Sequence, residues 1–314
     1  MSKVLISPTV FGKCGLEPLE LLEEHGYEAI LNPFGRRMTP DEVIELGKDC
    51  IGIIAGVESL NAEVLESLSF LRCISRCGVG IDNVDLKKAK ELGIMVRTTR
   101  EGPKRAVAEL AIGVIFDILR KISLRDRDLR KGNWYKGMGS LLQNKKVGIL
   151  GLGRIGRTVA ELLLRLDAKV TGADINPDIK WLEKYNVPLL TFEELIKESD
   201  ILCIHTSYSE DTRHLIGKKE IESMKSGAYL VNLSRGGIVD EDALYQALKS
   251  GHLAGAAVDT FEQEPYTGPL AELDNVVLTP HIGSYAEESK LKMEMQAVRN
   301  LLEVLSDLNL GRKV

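Results

Sequence analysis

Lys145-Lys146-Val147-Gly148-Ile149-Leu150-Gly151-Leu152-Gly153-Arg154-Ile155-Gly156 begins the stretch that decides the fold, and Asp174 ends it. The apolar run 147–150 reads as a strand. The glycines read as a tight turn, 159–166 as an apolar-periodic helix, and 169–173 as a second strand that delivers Asp174. A dinucleotide needs these parts. Gly151 permits the turn, Gly153 lets the backbone approach a pyrophosphate, and Gly156 lets helix and strand pack closely. The helix N-terminus faces the phosphates with free N–H groups and a positive dipole end. Asp174 is placed to accept both ribose hydroxyls, and its charge repels the 2′-phosphate of NADP. Ile175 and Asn176 supply no arginine for that phosphate, so NAD is favoured. GxGxxG alone is a weak signal, and a purely structural βαβ turn is the bland alternative. The preceding strand, the following helix and the acid at the expected distance all agree with the nucleotide reading.

Outward from this stretch the alternation of strands and helices continues. Before it, the patterning predicts strands at 4–7, 28–31, 51–55, 73–76 and 95–97, and helices at 17–25, 41–46, 62–68 and 86–92. Thr39, Pro40 and Glu42 form a capping box with proline at the first helical position, while Gly26 and Gly93 stop helices. A long amphipathic helix is predicted over 106–122, continued by the charged segment 125–131. That segment reads as a solvated face or an intersubunit arm. After Asp174, strands are predicted at 201–204, 228–232, 255–258 and 276–278. Thr191 with Glu194 makes a second capping box, Asp240 caps a helix that Gly251 stops, and a final helix runs from 287 to about 305. Alternating β and α units imply parallel sheets with helices on both faces.

At 314 residues, two domains are expected. A hydrophobic content of 44% is ordinary for a soluble globular protein, and no stretch is long and apolar enough for a membrane span. The N-terminus runs straight into a strand and does not read as a signal peptide. A net charge of −5 with interspersed signs gives no footprint for nucleic acid or an anionic membrane. The five cysteines show no CxxC and read as reduced core thiols, with Cys77 beside a glycine loop the one expected to be accessible. A cytoplasmic location is expected, and no metal-ligand cluster is visible.

Three strand ends after the nucleotide stretch carry polar groups, in 231–237, 259–265 and 278–284. In an open parallel sheet, ligands bind beyond the carboxyl ends of the strands. Arg235, Glu264 and His281 each follow a strand there. Hydride transfer to a ketone needs a proton donor near neutral pH, which suits histidine. A neighbouring carboxylate favours its protonated form and fixes its tautomer, and a guanidinium binds a carboxylate and polarises a carbonyl. Each has a bland reading: a surface ion pair for Arg235, a turn residue for Glu264, a structural histidine for His281. Their shared setting favours the chemical one. His25, His214 and His252 read as surface residues, and His205 as structural or cofactor-adjacent.

The chain resembles the D-isomer-specific 2-hydroxyacid dehydrogenase family, of the phosphoglycerate dehydrogenase type. The matching runs are Gly78-Val79-Gly80-Ile81-Asp82-Asn83-Val84-Asp85, Ala106-Val107-Ala108-Glu109, Gly151-Leu152-Gly153-Arg154-Ile155-Gly156, Asn232-Leu233-Ser234-Arg235-Gly236, Phe261-Glu262-Gln263-Glu264-Pro265 and Thr279-Pro280-His281-Ile282-Gly283-Ser284. The resemblance implies a Rossmann-type doubly wound parallel sheet plus a smaller flavodoxin-like α/β domain. Residues 99–284 would bind NAD, and residues 1–98 with 285–314 would bind substrate. It implies a catalytic set of Arg235, Glu264 and His281. Candidate cofactor contacts are Gly151, Gly153, Arg154, Ile155, Gly156, Asp174, His205, Thr206, Ser234, Asp259 and Gly283. Candidate substrate contacts are Gly78, Val79, Gly80, Arg235 and Arg100, with a substrate expected between the domains. A homodimer built through the NAD-binding domain is also implied, as is the absence of a serine-sensing extension after residue 314.

The chain departs from the family pattern at three places. The loop before Ala106 reads Thr98-Thr99-Arg100-Glu101-Gly102-Pro103-Lys104-Arg105, and its Arg100, Lys104 and Arg105 offer either another anion site or a solvated basic loop. Ala55 stands where phosphoglycerate dehydrogenases commonly carry a phosphate-binding arginine. Ser207-Tyr208-Ser209 replaces the usual Pro-Leu-Thr after His205. The expected activity is NAD-dependent interconversion of a small anionic D-2-hydroxy acid and its 2-keto acid, with 3-phosphoglycerate the leading named substrate. The alternatives are a glycerate-, glyoxylate- or lactate-type dehydrogenase and an NAD-sensing corepressor-like binding protein.

Overall fold

The computed structural model describes residues 1–99 and 102–310. In chain order its elements are β1 (Ser2–Ile6), α1 (Glu17–Glu24), β2 (Tyr27–Leu31), α2 (Pro40–Gly47), β3 (Cys50–Ala55), α3 (Ala62–Ser67), β4 (Cys73–Arg76), α4 (Leu86–Glu91) and β5 (Met95–Thr98), followed by α5 (Pro103–Arg120) and α6 (Ile122–Arg130). Then come β6 (Lys146–Leu150), α7 (Arg154–Arg165), β7 (Lys169–Ala173), α8 (Ile179–Tyr185), α9 (Phe192–Glu198) and β8 (Ile201–Ile204). The chain continues with α10 (Lys218–Ser223), β9 (Ala228–Asn232), α11 (Glu241–Ser250), β10 (Leu253–Val258), β11 (Val276–Leu278) and α12 (Glu287–Leu310). The chain divides into two compact units, Met1–Pro103 with Ser284–Val314, and Lys104–Gly283.

The first unit holds a five-stranded parallel sheet in the order β2-β1-β3-β4-β5. Alternate side chains leave opposite faces of a strand. Leu5, Ile53 and Ile74 therefore pack with Val43, Val64 and Ala89 on one side, whereas Val4, Ile54 and Cys73 pack with Leu22, Ala297 and Leu301 on the other. The α12 helix is seated by polar bonds as well. Ser75 Oγ donates to the carbonyl of Ala297 (2.7 Å), and Asn300 Nδ2 to that of Thr98 (3.1 Å). The Thr39–Glu42 capping box is formed.

The second unit holds a six-stranded parallel sheet in the order β11-β10-β9-β8-β6-β7. Val147 and Ile149 face the α5 and α7 residues Ala111, Ile115, Val159 and Leu163. Leu150, Leu202 and Ile204 face Leu195, Ile221 and Leu244 of α9, α10 and α11. From β6 the chain moves outward to β7 and then crosses to β8 on the other side, so strand order reverses at the carboxyl end of β6, where such sheets bind ligands.

Three readings need correction. The helix predicted as continuous over 106–131 breaks at Lys121, whose φ of 56° is left-handed. The Asp117 carboxylate accepts from the backbone N–H (2.8 Å) and hydroxyl of Ser123 and restarts the chain as α6. Cys77 is buried, and burial pushes its thiol up to about 11. His252 is half-buried, with Nε2 donating to the carbonyl of Ile221 (2.9 Å). His214 is exposed yet bonded, as described below.

Candidate active site

The glycine turn follows β6 as the sequence predicts. Gly151 takes a φ of 93° and abuts the backbone of His205 and Thr206, where a Cβ would lie 2.8–2.9 Å away. Gly156 has no room either, since a Cβ would lie 2.0 Å from the Gly151 carbonyl oxygen. Gly153, the N-cap of α7, differs: a Cβ there would meet nothing within 4 Å. A helix N-terminus with an open face at its cap fits a pyrophosphate. Arg154 is exposed beside it, and Ile155 packs inward on the core. Asp174 holds the turn from below. Its Oδ2 accepts from Leu152 N–H (2.6 Å) and Oδ1 from Asn176 N–H (2.7 Å), and each oxygen keeps a lone pair for a ribose hydroxyl. His205 stands with both ring nitrogens buried and, among the described residues, without a hydrogen-bond partner, and burial pushes its pKa down to about 4, so the ring is neutral.

Three strand-end turns carry the chemical groups. After β9, the buried Asn232 builds the first. Its Oδ1 accepts from the Ser234 N–H (3.1 Å) and hydroxyl (2.8 Å), and its Nδ2 donates to the Arg235 carbonyl (3.0 Å). After β10, Glu264 precedes a cis Pro265 and accepts from Phe261 N–H (3.1 Å). After β11, His281 adopts a left-handed φ of 53°, uncommon for a residue with a side chain.

Asp259 holds that last turn. It is 1% exposed, and its carboxylate accepts from Thr279 Oγ1 (2.6 Å), Ile282 N–H (2.8 Å) and Gly283 N–H (2.8 Å). Burial raises the Asp259 carboxyl above its usual range, and these three donors with the nearby His281 limit the rise. The result is the pair at the centre of the site. His281 Nδ1 lies 3.1 and 3.0 Å from the two oxygens of Glu264. A carboxylate only accepts, so Nδ1 carries the proton of this bond and Nε2 is left for other work. Burial alone would raise the Glu264 carboxyl. The hydrogen bond and charge of His281, the Phe261 N–H and the charge of Arg235 outweigh it, and Glu264 sits below its ordinary value.

In the first unit, the Gly78–Gly80 loop leaves β4. Among the described residues, no hydrogen bond from within the chain engages the N–H groups of Val79 or Gly80, which suits them to an anion. Arg100 lies outside the described residues. The anchoring role of Asp259 was not read from sequence, since its partners lie on the turn after the neighbouring strand.

The comparisons with known proteins agree with this fold. Residues 112–283 match the model of the D-isomer specific 2-hydroxyacid dehydrogenase NAD binding domain. The chain belongs to the D-isomer specific 2-hydroxyacid dehydrogenase family. It is thereby an NAD-binding 2-hydroxyacid oxidoreductase by class. It is 36% identical over 297 residues to the D-3-phosphoglycerate dehydrogenase of Archaeoglobus fulgidus, which covers 93% of this chain and only 56% of that protein. It is 34% identical to the hydroxypyruvate reductase of Thermotoga maritima, with 92% of each covered. Among solved structures, the D-lactate dehydrogenase of Aquifex aeolicus, in complex with NAD and lactic acid, matches with a TM-score of 0.85 and 26% identity, covering 99% of this chain and 97% of that one. No helix among the described residues is long and apolar enough to cross a membrane.

Proposed function

We propose that this chain interconverts a small anionic D-2-hydroxy acid and its 2-keto acid, with His281 exchanging the proton. The observation that carries the reading is the His281–Glu264 pair at 3.0–3.1 Å, on a turn fixed by the buried Asp259. Bound NAD supplies or accepts the hydride. In reduction, Nε2 of His281 donates its proton to the oxygen of the former carbonyl; in oxidation it takes that proton back. Glu264 compensates the charge on the ring. Arg235 is assigned to the substrate carboxylate and carbonyl, and the N–H groups of Val79 and Gly80 to the carboxylate. The unit containing both chain ends is assigned to substrate and the Lys104–Gly283 unit to NAD. The exposed Trp134, Tyr135, Met138 and Leu141 of that unit, with Ile122 and Leu129 of α6, support a homodimer built through it. Four buried, unpaired cysteines support a cytoplasmic setting.

The relatives support 3-phosphoglycerate as the leading named substrate. One feature favours a second reading, a glycerate- or glyoxylate-type substrate without phosphate. The β3 strand ends in the buried Ala55, and the carboxylate that follows, Glu58, is 2% exposed and accepts from Gly56 N–H (3.0 and 3.1 Å). A buried carboxylate is poor company for a phosphate. A panel of phosphohydroxypyruvate, hydroxypyruvate, glyoxylate and pyruvate, followed by NADH absorbance, tests both. Turnover of the phosphorylated acid over its unphosphorylated analogue supports the first reading, and the reverse supports the second. NADH binding without turnover of any keto acid refutes both and leaves an NAD-sensing binding protein.

A further inference from the structure

We infer that His214 and Glu262 form a clasp that positions the catalytic loops, an assignment that rests on the roles given above to Arg235, Glu264 and His281. His214 lies in the segment after β8, far from the acid–base pair in sequence. It adopts a left-handed φ of 47°. Such a conformation in a residue with a side chain persists only where its surroundings hold it. Here the holding groups are visible. The backbone N–H of His214 donates to the Gly237 carbonyl (2.7 Å), and its Nε2 bonds to Glu262 Oε1 (2.7 Å). The N–H of Glu262 in turn donates to Glu241 Oε1 (2.7 Å), at the start of α11.

These bonds join three successive strand-end loops at the residues beside the catalytic ones. Gly237 is two residues beyond Arg235, and Glu262 is two before Glu264. Between them the loops are in direct contact. A Cβ at Gly236 would lie 2.0 Å from the Phe261 carbonyl, and one at Gly237, whose φ is 77°, would lie 3.1 Å from the Tyr208 ring. The loop that carries Arg235 is thus pressed against the loop that carries Glu264, and the His214–Glu262 bond closes the third loop over both. Both side chains of the clasp are more than a third exposed. As a surface pair its own contribution to stability is small. Its effect lies in the register it gives to Glu264 against His281, where a displacement of about 1 Å costs up to a hundredfold in rate. Glu264 bonds to the His281 ring and Asp259 feels its charge, while Arg235 acts on Glu264. Glu262 faces Glu241 and His214 instead, so the clasp is assigned to act on the ring through the backbone.

The test is kinetic, on the full-length protein with NADH and the best keto acid of the panel. His214→Ala and Glu262→Ala are each expected to lower kcat about tenfold. Both are expected to move the reductive pH profile to lower pH, to leave NADH affinity unchanged, and to leave thermal stability within a degree or two. The double variant should lose no more than either single one, since the two residues act as one unit. Glu262→Gln keeps an acceptor oxygen and should recover most of the rate. If the single variants keep wild-type kcat and pH profile, the clasp assignment falls. If kcat falls only in step with stability while the pH profile stays in place, His214 is a structural residue and the assignment also falls. His281→Ala run in parallel separates this from the underlying reading: wild-type turnover in that variant would overturn the acid–base assignment itself.

Discussion

Replacing Asp259 by asparagine changes one atom in size and shape but reverses its hydrogen-bonding sense. The Asp259 carboxylate takes three donors at 2.6–2.8 Å, from Thr279, Ile282 and Gly283, with almost no exposure to water. Asparagine can keep its oxygen on Thr279 and Ile282, but its NH₂ group then faces the Gly283 N–H, donor against donor. A buried donor left unsatisfied costs about 1–3 kcal/mol. The desolvation that raises the Asp259 carboxyl is relieved by neutralisation, so a net loss of about 2 kcal/mol is expected. In a unit this large, that lowers Tm by roughly 4–8 °C. The functional cost is greater. Thr279, Ile282 and Gly283 flank His281, whose left-handed backbone conformation they hold in place. Loosening them lets the ring drift from Glu264, and kcat is expected to fall roughly ten- to a hundredfold. NADH affinity should stay close to wild type. Thermal unfolding, kcat and NADH fluorescence titration together check this. A large rise in NADH Kd with kcat intact would refute the reasoning and make Asp259 a cofactor ligand, as the sequence had suggested.

Other outcomes follow from the same groups. His205, with a folded-state pKa pushed down to about 4, is neutral where the unfolded chain's histidine, at 6.5, takes a proton. Its contribution is complete above pH 6.5 and is lost as pH falls towards 4. Urea unfolding should therefore show about 2 kcal/mol of this loss between pH 7 and 5, absent in His205→Gln. Glu264→Gln removes the carboxylate beside the His281 ring, and the reductive kcat profile should move to lower pH. An unmoved profile would make Glu264 a turn residue. Asp174 followed by Ile175 and Asn176 should give a clear kcat/KM preference for NAD over NADP, and equal values would contradict the assignment of Asp174 to the ribose.

Much of this was legible in the sequence where the signal is local. The glycine turn with its strand, helix and acid is a contiguous pattern, and its parts appear where predicted. The caps at Thr39, Thr191 and Asp240 are short-range and formed as read. What escaped depends on distant partners. Asp259 could not be assigned to the 279–283 turn without knowing that β10 and β11 lie side by side. His214 is exposed as read, but its bond to Glu262, 48 positions away, has no local signal. The break at Lys121 was hidden because lysine favours helix, and the bond from Asp117 to Ser123 that redirects the chain has no sequence signature. The burial of Cys77 reflects packing beneath α12, which the glycine loop beside it masked.

The central claim is that His281 exchanges the proton with the substrate oxygen. The most direct test is kcat for keto-acid reduction at saturating NADH, wild type against His281→Ala. The Glu264 pairing and the free Nε2 predict a fall of roughly a hundredfold or more, the usual size of a general acid–base contribution. Turnover near the wild-type value on the best substrate would contradict it.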